Sequence, residues 1–258
     1  MARMDGKVVI VTGGARGLGA AACRALTSEG AAVVVTDVLD EIGSKTVAEI
    51  EAAGGTARYQ SLDVRDADAW STVVRQTVDK FGAIDALVNN AGVILPKTIE
   101  EATVEEFRSV MDVNLYGAFL GIQAVLPTLK SRGGGAIVNV SSNSTEMIVP
   151  TSTYYAASKA ALANLTKTTA IHAALKGYGI RANSIHPGPH ATEMIESVAH
   201  LPHIAAMRDA VPLGRFGDPA DFGQLVVFLA SDESSYITAS EFFIDGGMTR
   251  VSFASPRD

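Results

Sequence analysis

The chain has 258 residues, 47% of them hydrophobic and 19% charged, which suits one large or two small globular domains. Its formal net charge of −7 and isoelectric point near 5.3 argue against nucleic acid or an anionic membrane as the main partner. The single cysteine, Cys23, excludes an internal disulfide, and no grouping of histidine and acidic residues has the spacing of a metal site. The sequence carries no signal-like or membrane-spanning apolar run, so we expect a cytoplasmic protein.

Short β-branched runs alternate with longer segments of helical period along the chain. The apolar runs lie at 8–12, 32–37, 57–64, 85–92, 136–142, 180–188 and 240–247. The helical segments lie at 17–30, 41–55, 66–82, 104–131, 153–177 and 218–232. Because the runs are continuous rather than alternating, they predict an α/β fold with a Rossmann-type, doubly wound parallel sheet of about seven strands flanked by helices. We expect one dinucleotide-binding and catalytic domain over 1–258, with a substrate lid at about 189–213.

A glycine-rich turn, TGGARGLG at 12–19, follows the first apolar run and opens the first helix. Its glycines, Gly13, Gly17 and Gly19, let the backbone turn tightly and approach a pyrophosphate, whose charge then lies at the helix N-terminus. Open α/β sheets bind ligands at this position. The turn therefore predicts a dinucleotide site that includes Arg16 and Leu18.

The acid that ends the second run bears on the choice of cofactor. Asp37 lies 18 residues past Gly19, where a carboxylate accepts hydrogen bonds from the 2′-hydroxyl of an adenosine ribose and repels a 2′-phosphate. Arg16 can pair with such a phosphate, but Asp37 would still oppose it. We therefore predict NAD as the cofactor, with NADP as a weaker second choice. Capping of the next helix is the alternative role of Asp37.

The stretch TSTYYAASK at 151–159 places two adjacent tyrosines ahead of a lysine. Lys159 stands at i+4 from Tyr155 and so shares its helix face, whereas five residues, roughly 140° around a helix, separate it from Tyr154. A tyrosine hydroxyl can move the proton of a secondary alcohol during hydride transfer, and a neighbouring ammonium should lower its pKa from about 10. Tyr155 is therefore the predicted acid/base, and Tyr154 is expected at the rim of the pocket or in an interface.

Several motifs occur together and in order: the glycine-rich turn, NNAG at 89–92 and YAASK at 155–159. With HPG at 186–188 and IDGG at 244–247, the chain resembles the short-chain dehydrogenase/reductase family over nearly its whole length. The stretches TGGARGLGA, TDVLDEIG, ARYQSLDV and SSYITASE are similar to those of the bacterial 3α,20β-hydroxysteroid dehydrogenases in that family. Secondary-alcohol dehydrogenases share most of the same pattern.

The resemblance implies roles at matching positions. It implies a catalytic Asn114, for which a polar residue satisfied inside its helix is the alternative. The family serine stands 13 residues before the tyrosine, which selects Ser142 rather than Ser141 to hold the substrate oxygen. The predicted cofactor positions beside the turn are Asp37, Val38, Asp63, Val64, Asn90, Ala91, Gly92, Tyr155, Lys159, Pro187, Gly188 and Thr192. The family also implies a homotetramer.

The predicted substrate pocket is apolar with a few polar points, which suits a hydrophobic alcohol or ketone. Its residues are Ile94, Leu95, Asn143, Met147, Ile148, Tyr154, His190, Met194 and Val198. His190 can touch substrate or cofactor phosphate, although a lone loop histidine is more often exposed. Asn143 and Ser144 stand where similar family members carry an Ala-Gly pair, which argues against a pure steroid pocket. Ala239-Ser240 stands where a glycine usually follows the threonine.

Together these residues predict an NAD(H)-dependent oxidoreductase that interconverts a hydrophobic secondary alcohol and its ketone, with a hydroxysteroid among the candidates. An NADPH-dependent 3-ketoacyl-thioester or carbonyl reductase is the alternative within the same fold. A nucleotide-sensing regulator without catalysis is a third hypothesis. The presence of Ser142, Tyr155 and Lys159 argues against it.

Overall fold

The computed structural model of the chain describes residues 2–192 and 202–250. In that part of the chain, seven strands form one parallel sheet. The strands are β1 Val8–Thr12, β2 Ala32–Asp37, β3 Thr56–Ser61, β4 Ala86–Asn89, β5 Gly135–Val140, β6 Ile180–Pro187 and β7 Glu241–Ile244. They are arranged in the order β3-β2-β1-β4-β5-β6-β7. The order reverses between β1 and β4, which is where open α/β sheets bind their ligands.

Helices connect the strands and cover both faces of the sheet. They are α1 Gly17–Ser28, α2 Asp40–Ala52, α3 Ala67–Phe81, α4 Val104–Met111, α5 Gly117–Ser131, α6 Thr153–Leu175, α7 Pro202–Asp209 and α8 Pro219–Ala230. A π-helical turn, Asp112–Tyr116, joins α4 to α5, and single 3-10 turns lie at Asn143–Thr145, Asp232–Ser234 and Met248–Arg250. Capping boxes at Thr103 and Asp218 fix where α4 and α8 begin.

The sheet separates two hydrophobic cores, because successive strand residues point to opposite faces. Within β1, Val9 and Val11 belong to the core under α1 and α8. Ile10 belongs to the core under α3, α5 and α6, where Trp70 is 1% exposed. The interior strand β1 is buried along its whole length. These observations confirm the prediction of a Rossmann-type parallel sheet covered on both faces.

The helix predicted over 104–131 is interrupted by the π-helical turn instead of running as one regular helix. The stretch Val104–Ser131 is long and apolar enough, by length and composition, to cross a membrane. Its buried side, which includes Leu120, Val125 and Leu129, packs in the core shared with α3 and the sheet. The stretch is therefore a core element of the α/β domain.

The predicted lid at about 189–213 falls partly outside the described residues, and Met194 and Val198 lie outside them altogether. In the described part, the segment after β6 is tied to the loop before α8. His190 and Gly217 form an isolated parallel bridge, Ala191 N–H donates to the Gly217 carbonyl at 2.8 Å, and Gly217 N–H donates to the Pro189 carbonyl at 3.0 Å. These bonds anchor the start of the segment beside the carboxyl end of β6.

Candidate active site

A cleft of about 990 Å³ opens at the carboxyl ends of the strands, where the strand order reverses. Predicted cofactor residues that line it are Gly13, Arg16, Gly17, Leu18, Gly19, Asp37, Val38, Asp63, Val64, Asn90, Ala91, Gly92, Tyr155 and Thr192. Residues that sequence reasoning did not select also line it: Leu39, Leu62, Arg65, Val93, Ser109 and Val113. The fold thus brings the glycine turn, the acid of β2 and the candidate acid/base into one cavity.

The glycines of the turn keep the backbone accessible from the cleft. Gly13 and Gly17 have φ angles of 62° and 57°, in the left-handed region that favours glycine. A Cβ on Gly19 would overlap the carbonyl oxygen of Gly13, and one on Gly13 would lie 2.9 Å from Asn90 Nδ2. An anionic group can therefore approach the start of α1 closely, which fits the pyrophosphate of a dinucleotide.

Hydrogen bonds fix this turn to the end of β4. Thr12 Oγ1 accepts from the backbone N–H groups of Asn90 and Ala91, at 3.0 Å each. Asn90 Nδ2 donates to the carbonyl oxygens of Thr12 and Gly13, at 2.9 and 3.0 Å. The two segments that the sequence singled out separately therefore form one wall of the cleft.

The carboxylate of Asp37 is held at the end of β2 by backbone donors. Oδ1 accepts from the N–H groups of Val38 and Leu39 at 2.8 and 3.2 Å, and Oδ2 accepts from Ala15 N–H at 3.1 Å. Arg16 is exposed at the same cleft. The carboxylate thus occupies the position at which dinucleotide folds bind the adenosine ribose.

The next part of the cleft is supported by residues that sequence reasoning missed. Trp70 Nε1 donates to the carbonyl of Val64 at 3.0 Å. A Cβ on Gly117 would lie 2.5 Å from Val64 Cγ2, and one on Gly121 would lie 2.7 Å from Trp70 Cζ2. The signal was present, because Trp70 is the only tryptophan in the chain and the two glycines interrupt an apolar helix.

The salt bridge of Asp63 adds a charge pair to this region. Arg65 Nη2 lies 2.6 Å from Asp63 Oδ2, and the Arg65 guanidinium, by hydrogen bonding, holds the pKa of the Asp63 carboxyl below its ordinary value. Both side chains are partly exposed at the cleft. Arg65 is therefore a second guanidinium, beside Arg16, that a bound nucleotide would meet.

Tyr155 and Lys159 lie on one face of α6, as their spacing predicts. Lys159 Nζ lies 5.5 Å from the centroid of the Tyr155 ring and donates to the carbonyl of Val140, at the end of β5, at 2.8 Å. The side chain of Ser142 lies close enough to Tyr155 to lower the pKa of the phenol. Ser141 points away, and its hydroxyl donates to the carbonyl of Lys159 at 2.8 Å. The structure therefore brings Ser142, Tyr155 and Lys159 together.

Burial dominates the titration of this cluster. It raises the pKa of Tyr155, and the hydrogen bond from Ser142 opposes that rise. It also lowers the pKa of Lys159 to about 8. The net direction for Tyr155 is opposite to the one expected from the sequence, because desolvation of the phenolate outweighs the lowering by Ser142.

Asn114, in the π-helical turn, bonds outside its own helix. Its Oδ1 accepts from Val93 N–H at 2.8 Å, and its Nδ2 donates to the Val93 carbonyl and to Ser158 Oγ at 3.0 and 2.9 Å. A Cβ on Gly92 would lie 3.2 Å from Lys159 Nζ and 3.3 Å from Asn114 Oδ1. Asn114 is thus fully satisfied, and it clamps the segment after β4 against α6 beside Lys159.

Tyr154 does not face the cleft. Its side chain is fully buried, its hydroxyl donates to Glu106 Oε2 at 2.7 Å, and it accepts from Thr103 N–H at 2.7 Å. Its ring packs edge-on against Phe107, with centroids 6.0 Å apart. The prediction of Tyr154 as a substrate or rim residue is corrected on this ground, because the hydroxyl is committed to the N-terminus of α4.

Two predicted pocket residues are buried and hydrogen-bonded. His190, predicted in the substrate pocket with an exposed loop position as the alternative, is 4% exposed, and its Nδ1–H donates to the Gly188 carbonyl at 2.9 Å. Asn143 is 8% exposed, and its Nδ2 lies 3.8 Å from Met248 Sδ. Met248 belongs to the last 3-10 turn. Arg250 of the same turn forms an ion pair with Glu146 at 2.5 Å. Sequence reasoning missed this contribution of the C-terminal turn.

The other apolar pocket candidates are more accessible. Ile94 and Ile148 are largely exposed, and Leu95 and Met147 are half-buried. They lie in the loops that follow β4 and the Asn143–Thr145 turn. These loops can therefore offer apolar surface to a substrate.

The segment after β6 reaches toward the glycine turn. Gly188 N–H donates to the Ile244 carbonyl at 3.0 Å, and a Cβ on Gly188 would lie 2.7 Å from Asp245 Cβ. A Cβ on Gly17 would meet Thr192 Cγ2 at 3.8 Å. Pro187 ends β6 at the same edge. The end of the segment therefore lies beside the glycine turn, where Thr192 and Gly17 both line the cleft.

No cluster of three or more metal-ligating side chains occurs among residues 2–192 and 202–250. Cys23 is buried, and burial raises the pKa of its thiol to about 12. A neutral, enclosed thiol is a poor nucleophile. The chemistry that the described site offers is therefore proton transfer and hydrogen bonding by Ser142, Tyr155 and Lys159.

Comparison with known proteins gives consistent matches. The family model described as enoyl-(acyl carrier protein) reductase matches residues 13–249. A 3-alpha-(or 20-beta)-hydroxysteroid dehydrogenase of Mycobacterium tuberculosis is 45% identical over 245 residues, covering 95% of this chain and 90% of that protein. An NADP-dependent (R)-specific alcohol dehydrogenase of Lentilactobacillus kefiri is 38% identical over 250 residues, covering 96% and 98%. A crystal structure from Burkholderia xenovorans, provisionally assigned as a short-chain dehydrogenase/reductase, is 31% identical with a TM-score of 0.92, covering 98% and 100%.

Proposed function

Because the chain belongs to the short-chain dehydrogenase/reductase family, we propose that it is an NAD(H)-dependent oxidoreductase for a hydrophobic secondary alcohol and its ketone. Tyr155 is the acid/base. The observation that carries the proposal is that Tyr155 lines the nucleotide cleft while its hydroxyl meets Ser142. Relatives named for hydroxysteroids and for alcohols support a substrate with a CH–OH group, and a hydroxysteroid is among the candidates.

Each site residue has a separate role in the proposed reaction. In oxidation, the Tyr155 oxygen takes the hydroxyl proton of the alcohol, and in reduction it returns a proton to the ketone oxygen. Ser142 donates a hydrogen bond to the substrate oxygen and fixes it beside the phenol. Lys159, when charged, favours the phenolate form of Tyr155. A nicotinamide bound in the cleft supplies or accepts the hydride.

The cofactor argument rests on Asp37. Its carboxylate is held at the end of β2 by three backbone N–H groups, from where it can accept from ribose hydroxyls and would repel a 2′-phosphate. Arg16 and Arg65 are the opposing features, and the Lentilactobacillus relative is NADP-dependent. We therefore propose NAD as the preferred cofactor and NADP as the second choice. A higher kcat/KM with NADPH than with NADH would overturn this assignment.

A substrate panel tests the activity itself. Steroids, cyclic alcohols, aryl ketones and a 3-ketoacyl thioester are supplied with NAD(H) or NADP(H), and turnover is followed by the absorbance of NADH or NADPH. We expect turnover of at least one alcohol or ketone. A 3-ketoacyl thioester or simple carbonyl reduced only with NADPH would favour the alternative reductase. Tight NADH binding with no turnover of any panel member would favour the nucleotide-sensing regulator.

The assembly and surroundings of the protein are part of the same proposal. An apolar groove of about 480 Å³ runs along the helices on one side of the sheet. Its lining includes Met111, Leu115, Tyr116, Phe119 and Leu165. We place a second copy of the chain in this groove, within a homotetramer of the kind that the family resemblance implies. We expect the protein in the cytoplasm, acting on a small molecule without nucleic acid or membrane.

A further inference from the structure

A buried histidine outside the predicted site contacts the backbone of the proposed substrate-binding serine. His186, in β6, is 0% exposed, and its ring packs against Phe243 with centroids 4.5 Å apart. Nδ1 lies 3.1 Å from the carbonyl oxygen of Ser142 and 3.1 Å from Thr145 Oγ1. Nε2 lies 3.0 Å from Ser184 Oγ. Both ring nitrogens of His186 are therefore engaged.

These partners fix the tautomer of His186. A carbonyl oxygen only accepts hydrogen bonds, so Nδ1 is protonated and its N–H donates to the Ser142 carbonyl. Nε2 of the neutral ring then accepts from the hydroxyl of Ser184. Burial lowers the pKa of His186, which favours this neutral form. The charged groups that act on the ring are Glu241, Glu146 and Lys167.

His186 contacts the carbonyl of Ser142, and the orientation of that peptide group affects the direction of the Ser142 side chain. Ser142 is extended, with φ −164° and ψ 154°, and it is the last residue before the Asn143–Thr145 turn. Its carbonyl also accepts from Thr145 Oγ1 at 3.0 Å and from Thr145 N–H at 3.3 Å. Three donors therefore hold this peptide group, and His186 is the one that lies outside the turn, while the Ser142 side chain lies beside Tyr155.

We propose that His186 is a positioning residue for the alcohol/ketone reaction, acting through the backbone of Ser142. The proposal rests on the proposed function, in which Ser142 holds the substrate oxygen. Without the Nδ1–H donor, only donors from within the turn hold the Ser142 peptide, so it can tilt and the hydroxyl loses its alignment with Tyr155. Transition-state stabilisation falls, whereas the nucleotide cleft, which His186 does not line, keeps its shape.

The test compares three replacements of His186. His186→Phe keeps a ring but has no donor, His186→Gln moves its amide one carbon beyond the Nδ1 position, and His186→Asn keeps an N–H close to Nδ1. With the panel alcohol that the wild type turns over fastest, we expect kcat to fall at least about tenfold in the Phe and Gln variants. The Asn variant should stay within about threefold of wild type, and all three should bind NADH within about twofold. If the Phe variant does not fold, the Gln variant carries the comparison.

Two further measurements separate positioning from a structural role. In a Ser142→Ala background, His186→Phe should reduce kcat no further, because the group that it positions is gone. In the Phe variant, the acid limb of the kcat–pH profile for oxidation should move to higher pH, because Tyr155 loses the opposing bond from Ser142. Thr77→Val, which removes a buried helix hydrogen bond elsewhere, is the control and should leave kcat unchanged.

The outcomes distinguish the inference from the function beneath it. Wild-type kcat in both the Phe and Gln variants, equal damage in the Asn and Phe variants, or an additive loss in the Ser142→Ala background overturns the role of His186 alone. Full activity of Ser142→Ala itself, or absence of turnover by the wild type, overturns the proposed function. Loss in the Phe and Gln variants with recovery in Asn supports both.

Discussion

At the scale of single residues, the two adjacent tyrosines divide by the direction that each side chain takes from α6. Tyr155 lines the cleft and meets Ser142, whereas Tyr154 is fully buried against Glu106 and Thr103. Helical spacing was enough to select Tyr155, because the i+4 relation to Lys159 is a local property. The partners of Tyr154 lie about fifty positions earlier in the chain, so spacing could not identify them.

The pair gives a matched comparison in which both changes remove one hydroxyl. Tyr155→Phe should reduce kcat at least about a thousandfold while NADH affinity stays within about twofold, because proton transfer is lost and the ring remains. Tyr154→Phe should keep kcat within a few-fold and lower the melting temperature, because Thr103 N–H and Glu106 lose a partner. Turnover on the panel alcohol and thermal unfolding measure the two effects. Loss of activity in Tyr154→Phe alone would falsify the assignment.

Lys159 makes stability depend on alkaline pH. Burial lowers its pKa to about 8 from 10.5, so between these values the unfolded chain binds more protons and the free energy of unfolding rises with pH. At ~1.4 kcal/mol per pKa unit, the rise is about 3 kcal/mol. Lys159→Met should be the more stable protein at pH 7.5, and its advantage should shrink by that amount by pH 10.5. Urea unfolding of both proteins without nucleotide measures the difference, and a constant difference would contradict the burial argument.

Ala239 is one of the positions at which this chain departs from the family pattern, because a glycine is usual there. Its φ is 58°, the only positive value among the described non-glycine residues, so a side chain stands where the backbone favours glycine. Ala239→Gly should raise the free energy of unfolding by about 1 kcal/mol, because release of this strain exceeds the entropy cost of glycine. Ala48→Gly, on the exposed side of α2, should lower it by about 1 kcal/mol. Urea titrations compare the two, and destabilisation by both changes would contradict the strain.

At the scale of elements, helices on one side of the sheet shape the part of the cleft around Val64. α3 presents Trp70, whose indole N–H holds the Val64 carbonyl, and α5 makes room for both through Gly117 and Gly121. α5 follows the π-helical turn, and that turn directs the Asn114 side chain toward Val93 and α6. Helix periodicity predicted these elements, but it carries no information about contacts between helices that are distant in sequence.

Trp70→Phe tests whether α3 positions the backbone at Val64 for nucleotide binding. The change keeps an aromatic ring in the core and removes the bond from Nε1 to Val64. We expect NADH to bind about three- to tenfold more weakly, with kcat at saturating cofactor nearly unchanged, because a hydrogen bond of about 1 kcal/mol is lost away from the reacting atoms. NADH fluorescence titration measures the affinity. If the variant is less stable but binds NADH as tightly as the wild type, Trp70 contributes only to core packing.

At the scale of the whole molecule, the order of apolar runs was sufficient to predict the parallel sheet, and the glycine turn placed the cleft. The meeting of the strand ends also followed, because parallel strands bring their carboxyl ends to one edge, although five of the seven predicted runs extend past the observed end of the strand. The contribution of Met248 to the site did not follow, because it packs on Asn143 from 105 positions away. The pKa of Tyr155 did not follow either, because burial is a property of the finished fold.

The groove lined by Met111, Leu115, Tyr116, Phe119 and Leu165 leads to the last prediction, which concerns assembly. Tyr116 and Phe119 stack at 6.3 Å and remain 48% and 38% exposed, so a partner that covered them would bury aromatic surface from both chains. Phe119→Glu should therefore shift the protein to a smaller species in light scattering, because a carboxylate would be buried without a partner. Ile42→Glu, on α2 at the other side of the sheet, is an equivalent apolar-to-acid change and should leave the mass unchanged. An unchanged mass in both variants would place the subunit contact elsewhere.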